Sequence, residues 1–296
     1  MLVSGALALT AYAFTFGYDK VITLAVIYVG FALLVGVIEQ VMPHNPAWNL
    51  RDGQVMQDLG HTFVGSVLAP RLADGMVLAL MAAPQVWLAE YYGGTLWPGG
   101  WPIAAQAALA IVLGDFGGYW SHRLAHEIPF LWRFHALHHS PLRLYFVNTG
   151  RFHPIDSMKS TLMIAPLLIL LGAPEEVMLW QIAFTNYVGI LSHCNIEMRC
   201  GCLNFLFNTP GVHRWHHSRL PREADNNYGE NVMIYDLLFR THLNPDRPPP
   251  VDLGIKAAIP SGFTAQLLSP LHFDALEAEG ARLRALASLE TDTAND

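Results

Sequence analysis

Three short stretches of the sequence gather imidazoles at helical spacing. "SHRLAH" (121–126) carries His122 and His126, "FHALHHSPL" (134–142) carries His135, His138 and His139, and "VHRWHHSRL" (212–220) carries His213, His216 and His217. Residues three and four apart share one face of a helix, so each stretch turns its rings the same way. Neutral imidazole is the commonest nitrogen ligand for iron, zinc, copper and nickel. Eight such ligands exceed what one ion takes and suit two ions with about four or five each. A lone histidine is more often a hydrogen-bonded structural residue. Two HxxHH triplets in a chain of 14 histidines point instead to a metal centre.

Two other metal chemistries fit the spacing less well. A zinc protease would place glutamate inside its first ligand pair, as HExxH; here that pair reads "HRLAH", with Glu127 outside it. A non-catalytic membrane metal-binding or transport protein remains the alternative reading. It would want polar residues at the midplane of its spans, whereas these histidines gather at one end.

The elements that must position the rings are apolar. The 296 residues are 52% hydrophobic and 14% charged, with a mean hydropathy of +0.29; a soluble domain carries about 25% charged residues. A net charge of −7 with no basic patch argues against nucleic acid. A helix crosses a bilayer with about 20 apolar residues. Residues 21–41, 72–92 (containing Pro84), 101–120, 157–172 and 175–192 read as such spans, the last two joined at "GAP". Residues 2–16 are apolar but short and read as an interfacial segment; no basic segment precedes them, so this first helix is expected to be retained. The expected fold is an all-α integral membrane protein, with four to five transmembrane helices and a cytoplasmic helical cap holding a dimetal site.

Arginine and lysine mark the cytoplasmic side of membrane proteins. The connections 92–100 and 172–176 contain neither, whereas 121–154 carries Arg123, Arg133, Arg143 and Arg151 and arginines follow residue 193. Every clustered histidine is thereby expected on one membrane face, the inside. After residue 241 the chain turns polar: "HLNPDRPPPVDLG" (242–254) is proline-rich, Leu276, Leu283, Leu286 and Leu289 recur at helical spacing, and "TDTAND" is expected to be disordered. The expected divisions are 1–104 as an N-terminal transmembrane region, 105–245 as the catalytic domain, and 246–296 as a cytoplasmic tail with a short amphipathic helix. Cys194, Cys200 and Cys202 form no even, spaced set and read as chance neighbours.

The pattern HxxxH (122–126), HxxHH (135–139) and HxxHH (213–217) in a membrane protein of this size resembles the fatty acid hydroxylase / sterol desaturase superfamily. "RFHPID" (151–156), "SHCN" (192–195) and "NNYGENVMIYDLLFRT" (226–241) are similar to further elements of that family, so the resemblance spans about 105–245. Tyr235, Leu237 and Arg240 stand where the family has Trp, Arg and Gly. The resemblance implies a membrane enzyme that uses O2 as co-substrate and two iron ions to hydroxylate or desaturate a lipid. It implies His122, His126, His135, His138, His139, His213, His216 and His217 as ligands, with His193 as the ninth. His153 is open between ligation and a role beside the ligands or the substrate.

Asp115 lies two turns before His122 and could orient its ring or simply pair within the helix bundle; Asn195 could reach the site through water, and Glu197 could ligate. His44, His61, His242 and His272 lack ligand spacing and read as structural or solvated. Arg143, Arg151 and Lys159 read as cytoplasmic anchors, or as holders of an anionic head group.

Breaking an unactivated C–H bond takes an oxidant that no side chain provides. The sequence shows no dinucleotide fingerprint and no iron–sulfur cysteine set, so electrons are expected from a separate ferredoxin or cytochrome b5-like protein on the cytoplasmic face. The substrate is expected to be a lipid entering sideways from the bilayer: sterol-like, fatty acyl, sphingoid, ether or amino-acid-linked. The expected location is the inner membrane of a bacterium.

Overall fold

The computed structural model describes residues 1–293, with side chains to Ala287. Its regular structure is helical, and among the described residues extended pairing is confined to three isolated bridges. Helix α1 (Leu2–Thr15) is followed by α2 (Lys20–Val41), which Asp19 caps by accepting from the Ile22 amide at 2.8 Å. Helix α3 (Val55–Tyr92) runs 38 residues through Pro84 and ends at Gly93, whose φ of +73° only glycine adopts freely. Next come α4 (Ile103–Glu127) and α5 (Pro129–His139). Helix α6 (Pro154–Leu171) starts with His153 as N-cap and stops at Gly172, and α7 (Glu175–His193) follows at once. The short α8 (Pro210–His216), α9 (Ile234–Phe239) and α10 (Phe263–Leu268) lead to α11 (Phe273–Thr293).

The sequence predicts α3 only from residue 72, because Asp58, His61 and Thr62 make its first half look like a loop. Tertiary partners account for the difference. Asp58 is buried in an ion pair with Arg151 at 2.6 Å and accepts from the Tyr145 hydroxyl, and His61 meets Gln266 of α10 at 3.1 Å. Over Thr62–Leu68 the helix widens to π-helical turns. There Gly65 abuts the Phe152 carbonyl so closely that a Cβ would collide with it.

Helix α6 packs between α3 and α4. Gly117 of α4 lies so near the Met163 carbonyl of α6 that a side chain would again overlap. Helix α1 lies against α2 and α7, with Phe31, Val35, Tyr187 and Ile190 in the core beneath it. Helices α2, α3, α4 and α6 are long and apolar enough to cross a membrane. Helix α7, expected as a further span, falls outside that group: it opens on Glu175 and Glu176 and carries Gln181 and Asn186. At 1.5 Å per residue α3 is about 57 Å long, nearly twice a hydrocarbon core of about 30 Å.

The C-terminal stretch is not a free tail. Leu253 is buried with Trp48 and Leu144, and Gln266 and Phe273 are buried as well. Helix α11 forms as expected, but Leu283 and Leu286 remain 49% and 48% exposed. The Leu289 side chain and residues 294–296 of "TDTAND" lie outside the described residues.

Candidate metal centre

Nine histidine rings converge in two groups. His122 and His126 of α4, His135 and His139 of α5, and His216 of α8 form one; His138 of α5, His193 of α7, and His213 and His217 at α8 form the other. Within each group the available ring nitrogens lie within 4.8 Å of one another. Each HxxHH stretch divides between the groups. In α5 the outer pair joins the first group and His138 the second; at α8 the outer pair joins the second and His216 the first. The three rings of a stretch thus do not serve one group as their shared face suggests: i and i+4 lie about 40° apart around the helix axis and i+3 about 60° to the other side, towards the neighbouring group. The rings of His139 and His217 stack across the boundary, 4.4 Å apart.

Five rings are fixed from behind. The Nδ1 atoms of His122, His193 and His216 meet the carbonyls of Tyr228, Gly189 and Asn226 at 2.9, 3.3 and 2.7 Å. Those of His135 and His126 meet the carboxylates of Asp156 and Asp225 at 2.8 and 3.1 Å. A carbonyl or carboxylate can only accept, so each Nδ1 carries the proton and each Nε2 presents a lone pair. The Nε2 atoms of each group converge. His139 Nε2 lies 3.2 Å from His126 Nε2 and 3.1 Å from His135 Nε2. In the second group His213 Nε2 lies 3.2 Å from His193 Nε2 and 3.0 Å from His217 Nε2. His122 Nε2 and His216 Nε2 are buried without any partner.

Nitrogens about 2.1 Å from a shared ion stand about 3.0–3.4 Å apart, which matches the spacing of these rings, and an ion would give the orphaned Nε2 atoms of His122 and His216 a partner. The residues therefore fit a metal ion in each group. Burial pushes His138, His139, His213 and His217 well below the usual histidine range, each adjoining imidazole adding to the effect, and brings His216 down to about 3. They are neutral at pH 7, as ligation requires.

Other expected site residues lie elsewhere. Asp115 touches no imidazole; it accepts from the Asn231 and Val232 amides and the Asn231 side chain, tying that loop to α4. Asn195 bonds Asn45 and Asn49. His153 uses both ring nitrogens, accepting from the Ile155 amide and donating to the Leu267 carbonyl, so neither is free for an ion. Glu197 pairs with His44 at 2.6 Å. Arg143, Arg151 and Lys159 are neither open anchors nor free for a head group: they are occupied by Asp52, Asp58 and Asp156. Cys194, Cys200 and Cys202 are free thiols, Cys194 fully buried. Sequence reasoning missed Asp156 and Asp225. "RFHPID" did signal the former, placing a carboxylate in the first turn of a helix beside the histidines.

Arg240 occupies a glycine position for a visible reason. It closes α9 with φ +60°, the left-handed conformation that glycine adopts without strain.

The chain matches the fatty acid hydroxylase family over residues 107–241. It is 42% identical over 266 residues to an ornithine lipid hydroxylase of Rhizobium tropici, covering 88% of this chain and 80% of that protein. Alkylglycerol monooxygenases of Danio rerio and Homo sapiens are 34% and 32% identical over 142 and 127 residues, 48% and 43% of this chain. The chain spans only 31% and 28% of those longer proteins. No solved structure matches the chain. With the histidine pattern, the apolar helices and a relative aligned along most of both lengths, the chain belongs to the fatty acid hydroxylase superfamily.

Proposed function

We propose that this membrane protein is an O2-dependent lipid hydroxylase that holds one iron ion in each histidine group. His122, His126, His135, His139 and His216 ligate the first ion, and His138, His193, His213 and His217 the second. The observation that carries this reading is the convergence of nine ring nitrogens in two adjoining groups, with His122 Nε2 and His216 Nε2 buried and unpartnered. When bound, the irons supply the oxidising power that breaks an unactivated C–H bond with O2. The chain's own residues do the rest. Tyr228, Asn226, Gly189, Asp156 and Asp225 hold the rings in the ligating tautomer. Tyr228, fully buried, packs its ring against His122, His126 and His216.

Hydroxylation, rather than desaturation, is supported by relatives that are themselves hydroxylases or monooxygenases. One oxygen atom enters the lipid and the other leaves as water, consuming two electrons and two protons. With only three cysteines, none paired or clustered on a metal, the electrons come from a separate ferredoxin or cytochrome b5-like donor. The arginine distribution supports a cytoplasmic active face, and the Rhizobium relative supports a bacterial inner membrane. That same relative favours a polar membrane lipid with an amino-acid head group as substrate.

The test is elemental mass spectrometry of detergent-purified protein from iron-replete cells, with lipid mass spectrometry after donor and O2 are supplied. About two irons per chain and a lipid gaining one oxygen atom are expected. One ion or none in folded protein refutes the two-metal assignment, and two ions without an oxygenated lipid bring the metal-binding or transport reading forward.

A further inference from the structure

Carboxylates buried around the centre accept hydrogen bonds. Asp156 accepts from His135 and Lys159, Asp115 from Asn231 and Val232, and Asp236 from the Tyr228 and Gly229 amides and the Thr241 hydroxyl. Glu230 differs. Among the described residues its backbone carbonyl accepts from Asn208, but its carboxylate has no hydrogen-bond or ion-pair partner. The backbone on either side of it is nevertheless held in place. The Gly229 amide on one side is fixed by Asp236 and the Asn231 amide on the other by Asp115.

The carboxylate lies over Gly118 of α4, where an added Cβ would stand 3.1 Å from Glu230 Cδ. Gly118 is one helical turn before His122 and shares its face, and the Tyr228 carbonyl that holds His122 is two residues before Glu230. Glu230 remains partly exposed while Tyr228, Gly229 and Asn231 around it are buried. The cation that acts on it, Lys159, is already engaged by Asp156 and the Ser121 carbonyl. A desolvated carboxylate without a partner is unfavourable. Burial first, and Asp115 second, push its pKa up to about 7.

We infer that the Glu230 carboxylate is a specificity contact that receives a cationic nitrogen, a primary ammonium in the head group of the lipid substrate. This rests on the lipid hydroxylase reading and names its substrate class. An ammonium brings the donors and the charge that Glu230 lacks. A free carboxylate or phosphate head group would meet a like charge there and be disfavoured.

The test uses full-length protein loaded with zinc, which binds imidazole sites without redox turnover, in detergent micelles. Titration calorimetry compares N-dodecanoyl-ornithine with the same molecule acetylated on its side-chain amine. Wild-type protein is expected to bind the free amine roughly 10-fold or more tightly than the capped form. Glu230→Gln is expected to lose that preference while binding the capped probe as before, and Glu230→Asp to keep a preference. The proposal is overturned if wild type binds both probes equally or binds neither, or if Glu230→Gln keeps the full preference. The wild-type comparison stands even if a variant fails to fold. Two zinc ions per chain with no amine preference would overturn the Glu230 contact alone; fewer than two in folded wild type would overturn the metal reading.

Discussion

Replacing Asp156 by Asn tests how the first histidine group is held. The carboxylate is buried and accepts from His135 Nδ1 at 2.8 Å and from Lys159 at 2.7 Å. Asparagine keeps one oxygen for the imidazole but removes the charge that makes the ring a stronger ligand, and leaves Lys159 without a counter-ion. Outer partners of metal-bound histidines typically carry 10–100-fold in affinity, about 1.4–2.7 kcal/mol. Asp156 is 3% exposed, so solvent screens little and the loss should fall in the upper part of that range. The assay is a chelator titration of cobalt-substituted protein, following absorption as the ions leave. Release from the five-histidine group should need about 30–100-fold less chelator, while release from the four-histidine group stays where it was. Adding Lys159→Met should restore thermal stability without restoring metal affinity, separating charge balance from ligand tuning. Unchanged release from both groups, or equal weakening of both, would refute the reasoning.

Asp225→Asn should weaken the same group by less, roughly 3–10-fold, because the Asp225 carboxylate beside His126 is 54% exposed; an effect as large as that of Asp156→Asn in the same titration would contradict this. Gly65→Ala should lower the thermal midpoint by an amount equivalent to about 2 kcal/mol or more and reduce metal content, since the new Cβ drives into the Phe152 carbonyl and Phe152 stacks on His138 at 4.0 Å; wild-type stability and metal content would refute the packing argument. Arg240→Gly should raise stability by about 0.5–1 kcal/mol by relieving the φ of +60° at an exposed position, read by fluorimetry in detergent; a lower midpoint would show that the arginine side chain matters more than the backbone. Because Glu230 stands near pKa 7, about half of the molecules carry its proton at pH 7. An ammonium ligand favours the ionised form and should release about half a proton per ligand, seen as a binding heat that depends on the buffer; no buffer dependence would contradict this.

Eight of the nine convergent histidines could be read from the sequence because one residue type recurs at helical spacing, and the ninth, His193, from the family resemblance. The rings' supports could not. His122 is held by a carbonyl 106 residues away, and a carbonyl leaves no mark on residue type. Asp115 looked like such a support because it shares a face with His122, yet its carboxylate turns to the 231–232 amides, a contact set by how that loop returns to α4. The first half of α3 was lost for a related reason. Asp58 and His61 break the apolar pattern, and only Arg151, Tyr145 and Gln266, far along the chain, make their burial possible. Arg143, Arg151 and Lys159 read as cytoplasmic anchors because positive charge usually faces water, whereas here the two arginines are matched by Asp52 and Asp58 from distant segments and Lys159 by Asp156 one turn away on its own helix.

The division of each HxxHH stretch between the two groups has a mechanical consequence. The separation of the two histidine groups follows the pitch of α5 and α8, where neighbouring residues 138 and 139, and again 216 and 217, belong to different groups. No connection length enters that distance. Insertions in the 140–150 connection would leave that spacing unchanged, whereas the 218–225 connection carries Asp225, which holds His126. The fold thus separates two tasks: a fixed gauge for the oxidising chemistry, carried by helical turns, and an adjustable surround that selects which lipid reaches it.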